Sequence, residues 1–172
     1  MKNSIIILAI VLFSLRSAAQ AYPDRMIRNE VKFNMGLFLA TTTLEGSYER
    51  FITDDMSIGG TIYFDNDASD YNGDFGIGPN FRAYFGYGYA EGFFAEAFGL
   101  YYSGRDENIS LADPRDQEYN TFALGLGLGG KWATRSQKFS FEINGGFGRN
   151  INPEVFQDSF MYRFGASLGF RF

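Results

Sequence analysis

Residues Phe160–Phe172 read FMYRFGASLGFRF, and the reading of this stretch decides the fold. Phe160, Tyr162, Phe164, Ala166, Leu168, Phe170 and Phe172 fall on one face of an extended chain. Met161, Arg163, Gly165, Ser167, Gly169 and Arg171 fall on the other. Successive side chains of a β-strand point to opposite sides, so an unbroken period of two marks a strand. A soluble sheet gives such a strand one buried face. A segment that follows many like it and ends on an aromatic matches the closing strand of a membrane barrel instead.

The same alternation recurs up the chain and predicts about eight strands. Val31, Phe33, Met35, Leu37 and Leu39 define the first, with Ala40–Thr43 as its connection. Leu44, Gly46 and Tyr48 alternate with Glu45, Ser47 and Glu49 in the second, and Thr53–Asp55 turns the chain. Met56, Ile58, Gly60, Ile62 and Phe64 mark the third, before the acidic loop Asp65–Asp74. Phe75, Ile77, Phe81, Ala83 and Phe85 mark the fourth; Pro79, which has no N–H for a ladder, predicts a bulge there. In the fifth, Phe93–Ser103, an inward Glu96 carries Phe94 and Phe98 inward with it. A bulge and inward aromatic packing both remain open for that register. Gly104–Glu118 is a long loop. Phe122, Leu124, Leu126 and Leu128 mark the sixth strand, and Trp132 falls near its end as an interfacial aromatic would. Phe139, Phe141, Ile143, Gly145 and Phe147 mark the seventh, and Asn152–Ser159 is the last loop. Long and short connections alternate, as in a barrel with long loops at one end and short turns at the other; Ala40–Thr43 is the exception.

The two faces differ in chemistry. One is nearly all Phe, Leu, Ile, Met, Tyr, Ala and Gly. The other carries Lys32, Glu45, Glu49, Arg82, Glu96, Lys131, Glu142, Arg163 and Arg171. An Arg or Lys on a lipid face at mid-bilayer costs about 2–4 kcal/mol, so these charges belong inside. A soluble barrel would show an apolar interior and a polar exterior. Eight strands leave a lumen that side chains fill, so the prediction is a charge-paired plug.

The front of the chain points to export. Lys2, an apolar run from Ile5 to Leu15 and the small residues Ser17-Ala18-Ala19 form the layout of a secretory signal peptide. Cleavage after Ala19 leaves a short periplasmic segment over 20–29 and a barrel over 30–172. No later stretch approaches the roughly 20 apolar residues of a spanning helix. The chain holds 20 Phe, 11 Tyr and 21 Gly but no Cys and no His. Disulfides, thiol chemistry, Ser-His-acid triads and His-based metal sites are therefore excluded. The net charge of −5 argues against a nucleic-acid partner, which calls for a basic face.

Three motifs are weaker than they look. Gly125, Gly127 and Gly130 match G-x-G-x-x-G, but inside an apolar strand with no helix after it, so no nucleotide cofactor is expected. Asp65, Asp67, Asp70 and Asp74 crowd one loop without the spacing of a calcium hand; a solvated loop is the favoured reading, and no metal is assigned. Asn108-Ile109-Ser110 is a chance sequon in a bacterial reading. Glu45 with Glu49 or Glu142 would suit acid–base work, yet charges away from water normally need partners, which favours salt bridges to Arg82, Lys131 and Arg163.

Asn29-Glu30-Val31-Lys32-Phe33-Asn34, Gly46-Ser47-Tyr48-Glu49-Arg50-Phe51 and Ser57-Ile58-Gly59 resemble an uncharacterised family of small outer-membrane β-barrel proteins of Gram-negative bacteria, similar in architecture to OmpA/OmpX-type barrels. The resemblance implies an all-β transmembrane up-and-down barrel in the outer membrane. It also implies that Tyr162, Phe164, Phe170 and Phe172 form the signal read by the barrel-assembly machinery. It implies no defined activity. The expectation is a non-enzymatic barrel in contact with outer-membrane lipid, with a structural role or one of surface contact with an extracellular ligand through its loops. The alternative is a small transport or ligand-binding barrel with the lumen charges as a gate, and an enzyme without His comes last.

Overall fold

The alternating segments close into one antiparallel sheet. The computed structural model describes residues 27–65, 73–106, 117–151, 153 and 158–172. Its strands are β1 (Asn29–Asn34), β2 (Leu44–Phe51), β3 (Met56–Phe64), β4 (Phe75–Tyr84), β5 (Gly92–Asp106), β6 (Gln117–Ala133), β7 (Phe139–Ile151) and β8 (Phe160–Arg171). Each pairs with its sequence neighbours, and β8 returns to β1 from Glu30↔Arg171 to Asn34↔Ser167, giving a closed eight-stranded barrel. Closure removes every free sheet edge over the paired length. The expected signal peptide lies outside the described residues, as does most of the segment that precedes β1.

Faces sort as the alternation predicts, inside out relative to a soluble protein. Leu126 is 61% and Phe164 64% exposed, whereas Glu30 and Lys131 are fully buried. The core is therefore the lumen. Two apolar clusters fill its ends. Phe51, Tyr84, Ala90 and Phe94 lie toward the end that carries the short turns, with Tyr89 packed beneath them. Tyr63, Phe98, Leu100, Tyr102, Ala123 and Met161 lie toward the loop end.

The first strand departs from the sequence expectation. It stops at Asn34, and Met35–Thr41 winds into a helix, α1. The β1–β2 register, Asn29↔Arg50 to Phe33↔Gly46, supplies the reason. Continued in register, it would close the hairpin on Leu39-Ala40, where a two-residue turn calls for Gly, Asn or Asp at positive φ. The helix takes up the residues instead. Asn34 caps it, its Oδ1 accepting from Leu37 N at 3.1 Å, and Thr42 ends it at φ 61°. The same Oδ1 accepts from Ala166 N at 3.1 Å, and Asn34 Nδ2 donates to Glu45 Oε1 at 2.9 Å. Leu37, expected on the outer face, is buried. The helix makes the first connection a long one, so the exception in the loop pattern disappears.

Two smaller expectations change. Pro79 introduces no bulge. Ile77↔Tyr101 and Asn80↔Phe98 keep one register across it, and only the pairing at Gly78 and Pro79 lapses. The loop expected over Gly104–Glu118 is shorter, because β5 runs to Asp106 and β6 starts at Gln117.

The fifth strand resolves in favour of inward aromatics. Phe94, Glu96 and Phe98 all point into the lumen, and their partners on β6 are Gly129, Gly127 and Gly125. A Cβ at Gly129 or Gly125 would overlap the ring of Phe94 or Phe98. The glycine alternation that resembles a nucleotide motif is the space these rings occupy. Filling one site tests this. Gly125→Val is expected to cost about 1–3 kcal/mol by overpacking, read from the urea midpoint in detergent micelles, and Phe98→Ala in the same chain should restore part of it. An unchanged midpoint in the single variant would contradict the packing.

Candidate functional site

All nine charges assigned to the inner face by sequence point into the barrel, and a tenth joins them. Lys32 comes from β1, Glu45 and Glu49 from β2, Arg82 from β4, and Glu96 from β5. Lys131 comes from β6, Glu142 from β7, and Arg163 and Arg171 from β8. The addition is Glu30, fully buried at the start of β1. Reading the first strand from Val31 hid it, although Glu30, Lys32 and Asn34 alternate inward in step. With Glu30 included, the acids Glu30, Glu45, Glu49, Glu96 and Glu142 balance the bases Lys32, Arg82, Lys131, Arg163 and Arg171 one for one.

Glu49 and Glu142 sit at the centre. Glu49 Oε2 accepts from Lys32 Nζ at 2.8 Å and Lys131 Nζ at 2.7 Å, with Arg82 Nη1 at 3.3 Å. Its Oε1 takes Ser57 Oγ at 2.5 Å and the Tyr84 hydroxyl. Glu142 Oε2 faces Arg82 Nη1 at 2.7 Å, Lys32 Nζ at 3.1 Å and Lys131 Nζ at 3.3 Å. Arg82 Nε reaches Glu96 Oε2 at 2.5 Å. These shared contacts satisfy what burial would otherwise leave unpaired, the condition under which ions persist away from water. The alternation puts Tyr84 and Asn144 on the inner face but did not foretell them, or Ser57, as partners of the carboxylates; Asn144 Nδ2 donates to Glu142 Oε1 at 3.0 Å. Polar residues on an inward register were the available signal.

Aromatic rings cover four of the five lumen cations. Arg82 lies 4.6 Å from the Phe94 centroid, Arg163 5.0 Å from Phe98 and Arg171 4.9 Å from Phe51. Lys131 lies 5.1 Å from the Tyr84 centroid. Each ring thus offers its negative face to a desolvated cation, an attraction worth about 2 kcal/mol when water is excluded.

Arg171 closes the turn end. Its Nε contacts Glu30 Oε2 at 2.9 Å, across the β8–β1 seam. Its Nη2 donates to Ala90 O at 2.8 Å and its Nη1 to Gln137 Oε1 at 2.5 Å. One guanidinium thereby ties the seam to the turn after β4, which carries Tyr89 and Ala90 over the mouth. Tyr89 stacks edge-on against Phe51 at 5.5 Å. Its phenol is pushed above the ordinary range by partial burial, with the Asp54 carboxylate adding to the shift.

The loop-side half is looser. Arg163 stands 3.7 Å from Glu45 and 3.6 Å from Glu96. Glu45 Oε2 has no hydrogen-bond partner among the described residues, and Glu45, Glu96, Asn144 and Arg163 line a cavity of about 10 Å³. That is space for the centre of about one water, far below the roughly 300 Å³ of a small-molecule site.

No group of acidic side chains suited to a metal occurs among the described residues. Most of the acidic loop, 66–72, and the sequon at 108–110 lie outside them. At the loop base Asp65 N donates to Asp74 O at 2.8 Å, and Thr43 Oγ1 to Asp65 Oδ1 at 3.1 Å. The expected assembly signal, Tyr162, Phe164, Phe170 and Phe172, lies exposed on the outer face, and Phe172 N donates to Asn29 O at 2.9 Å.

The chain is thus a closed eight-stranded antiparallel barrel, apolar outside and ion-paired within. The chain is similar to the crystal structure of the N-terminal β-barrel domain of Pseudomonas aeruginosa OprF, with a TM-score of 0.63 and 14% identity over 86% of this chain and 98% of that one. The likeness is one of fold. No protein-family model and no curated protein matches the chain.

Removing one central charge should be far worse than removing a pair. Arg82→Met leaves three carboxylates short of a partner and is expected to cost about 3–5 kcal/mol by urea unfolding in micelles. Adding Glu96→Leu to Arg82→Met should recover part of that loss; no recovery would mean the two side chains do not act as a pair.

Proposed function

We propose that this chain is an integral outer-membrane barrel without enzymatic activity, whose lumen is plugged and whose role is structural or one of surface contact. The observation that carries the reading is the balanced ion-pair network closed between two aromatic clusters. The exterior supports membrane embedding. Ile58, Leu124, Leu126, Leu128, Ile143 and Phe164 would each be misplaced in water, and burying a side chain of this size in an apolar medium is worth about 1.5–3 kcal/mol. Aromatic residues toward the turn end, Trp132 stacked on Phe141 at 6.0 Å among them, suit the membrane–water interface.

In this reading a signal peptide over 1–19 directs export, and 20–29 is a short periplasmic segment. The barrel over 30–172 is inserted by the barrel-assembly machinery, which reads the terminal aromatics. The turn end faces the periplasm. The connections that follow β3, β5 and β7 are read as the outward end, which offers the surface for any extracellular ligand. The absence of His and Cys from the sequence removes the common nucleophilic mechanisms.

Transport or ligand binding is the competing reading, with the lumen charges as a gate. The refolded chain in planar bilayers separates the two. A plugged barrel gives a heat-modifiable band on unboiled gels and no steady conductance. Ion-selective openings abolished by Arg82→Gln or Glu142→Gln would overturn the plug.

A further inference from the structure

Outside the lumen, basic side chains gather at the turn end. Arg28 leads into β1, Arg50 stands near the end of β2, and Arg135 and Lys138 belong to the turn between β6 and β7. They occupy one side of the turn-end rim. Arg50 pairs in register with Asn29, Phe51 N donates to Arg28 O at 2.8 Å, and Arg171 N donates to Lys138 O at 2.8 Å. The arc therefore follows four consecutive strands, β7, β8, β1 and β2. At about 4.8 Å per strand it spans roughly 15 Å, close enough for the potentials to overlap at physiological salt. The acids Asp54 and Asp55, on the turn after β2, border the arc beyond Arg50, and Glu91 lies on the turn after β4.

Every lumen cation has a carboxylate, whereas Arg28, Arg50 and Lys138 are exposed and make no ion pair among the described residues. Arg50 shares the outer face with Tyr48, and Trp132, Phe139 and Phe170 ring the same end of the wall. A basic arc at the height of an aromatic girdle meets the headgroup layer. Its chemical complement is a phosphodiester with net negative charge; a zwitterionic headgroup offers the same phosphate but cancels it with its own amine.

We propose that this arc binds the headgroups of anionic phospholipids in the leaflet at the turn end. The proposal rests on the membrane reading above and assigns that leaflet a specific lipid contact. Trp132, the single tryptophan, stands beside the arc and reports on it.

The full chain is refolded into phosphatidylcholine vesicles with a minor share of phosphatidylglycerol, and bromine is placed on the acyl chains of one lipid or the other. At equal mole fraction, brominated phosphatidylglycerol should quench Trp132 as if enriched about fivefold, the equivalent of about 1 kcal/mol for one basic side chain at an anionic surface. The excess should shrink at high salt and vanish in Arg28→Gln/Arg50→Gln/Lys138→Gln, which leaves the lumen untouched. Equal quenching by both lipids, or an excess that survives the triple variant, would overturn the proposal. Loss of the excess when inorganic phosphate replaces chloride at matched ionic strength would assign the arc to free phosphate and overturn the lipid claim. Failure of both brominated lipids to quench would overturn the membrane reading itself.

Discussion

Glu49 and Glu142 draw Lys32, Arg82 and Lys131 into the middle of the barrel, and the rest of the molecule is arranged around that contact. The five side chains come from β1, β2, β4, β6 and β7, so the contact is complete only when the sheet has closed. Burial gives the cluster its force in both directions. Desolvating each ion costs several kcal/mol, and mutual attraction in a low dielectric offsets this only if partners are in place. A closed barrel supplies the partners simultaneously; a partly open one leaves ions stranded. The network is thus a penalty against misclosure as much as a source of stability, and Glu30 with Arg171 extends it across the β8–β1 seam.

Room for the network comes from glycine. Large inward side chains on one strand lie over small ones on the next, as Phe94 and Phe98 do over Gly129 and Gly125, and Tyr63 over Gly76. Where two rings do meet at one level on adjacent strands, as Tyr84 and Phe94 do, they tilt against each other at 5.5 Å between centroids. The alternation of Gly with Leu along β6 serves both faces: no side chain toward the lumen, a full aliphatic one outward.

The period of two made the strands, their faces and the inward position of the nine charges legible, because burial in a sheet depends only on parity. It did not give the partners. Which carboxylate meets which cation depends on the stagger between strands, and Lys131 reaching Glu30 at 3.4 Å across the lumen follows from closure alone. Parity also misread α1. Met35, Leu37 and Leu39 alternate like a strand, but the hairpin register leaves them no turn to make, and the Asn34 cap turns the same residues into a helix. Glu96 looked discordant beside two phenylalanines because the matching glycines lie thirty or so positions away on β6.

A lumen of paired ions between aromatic caps differs from a water-filled one in a property that can be observed directly, the exchange of ammonium protons. Lysine ammonium groups in water exchange too fast to be seen near neutral pH, whereas paired groups shielded from solvent persist. The decisive measurement is nitrogen-detected NMR of Lys32 and Lys131 in the refolded barrel near pH 7, with exposed Lys138 as the internal reference. The account predicts two persistent ammonium signals, correlated with Glu49 and Glu142, and none from Lys138. Loss of the Lys32 and Lys131 signals at the rate of Lys138 would show an open, hydrated lumen and contradict it.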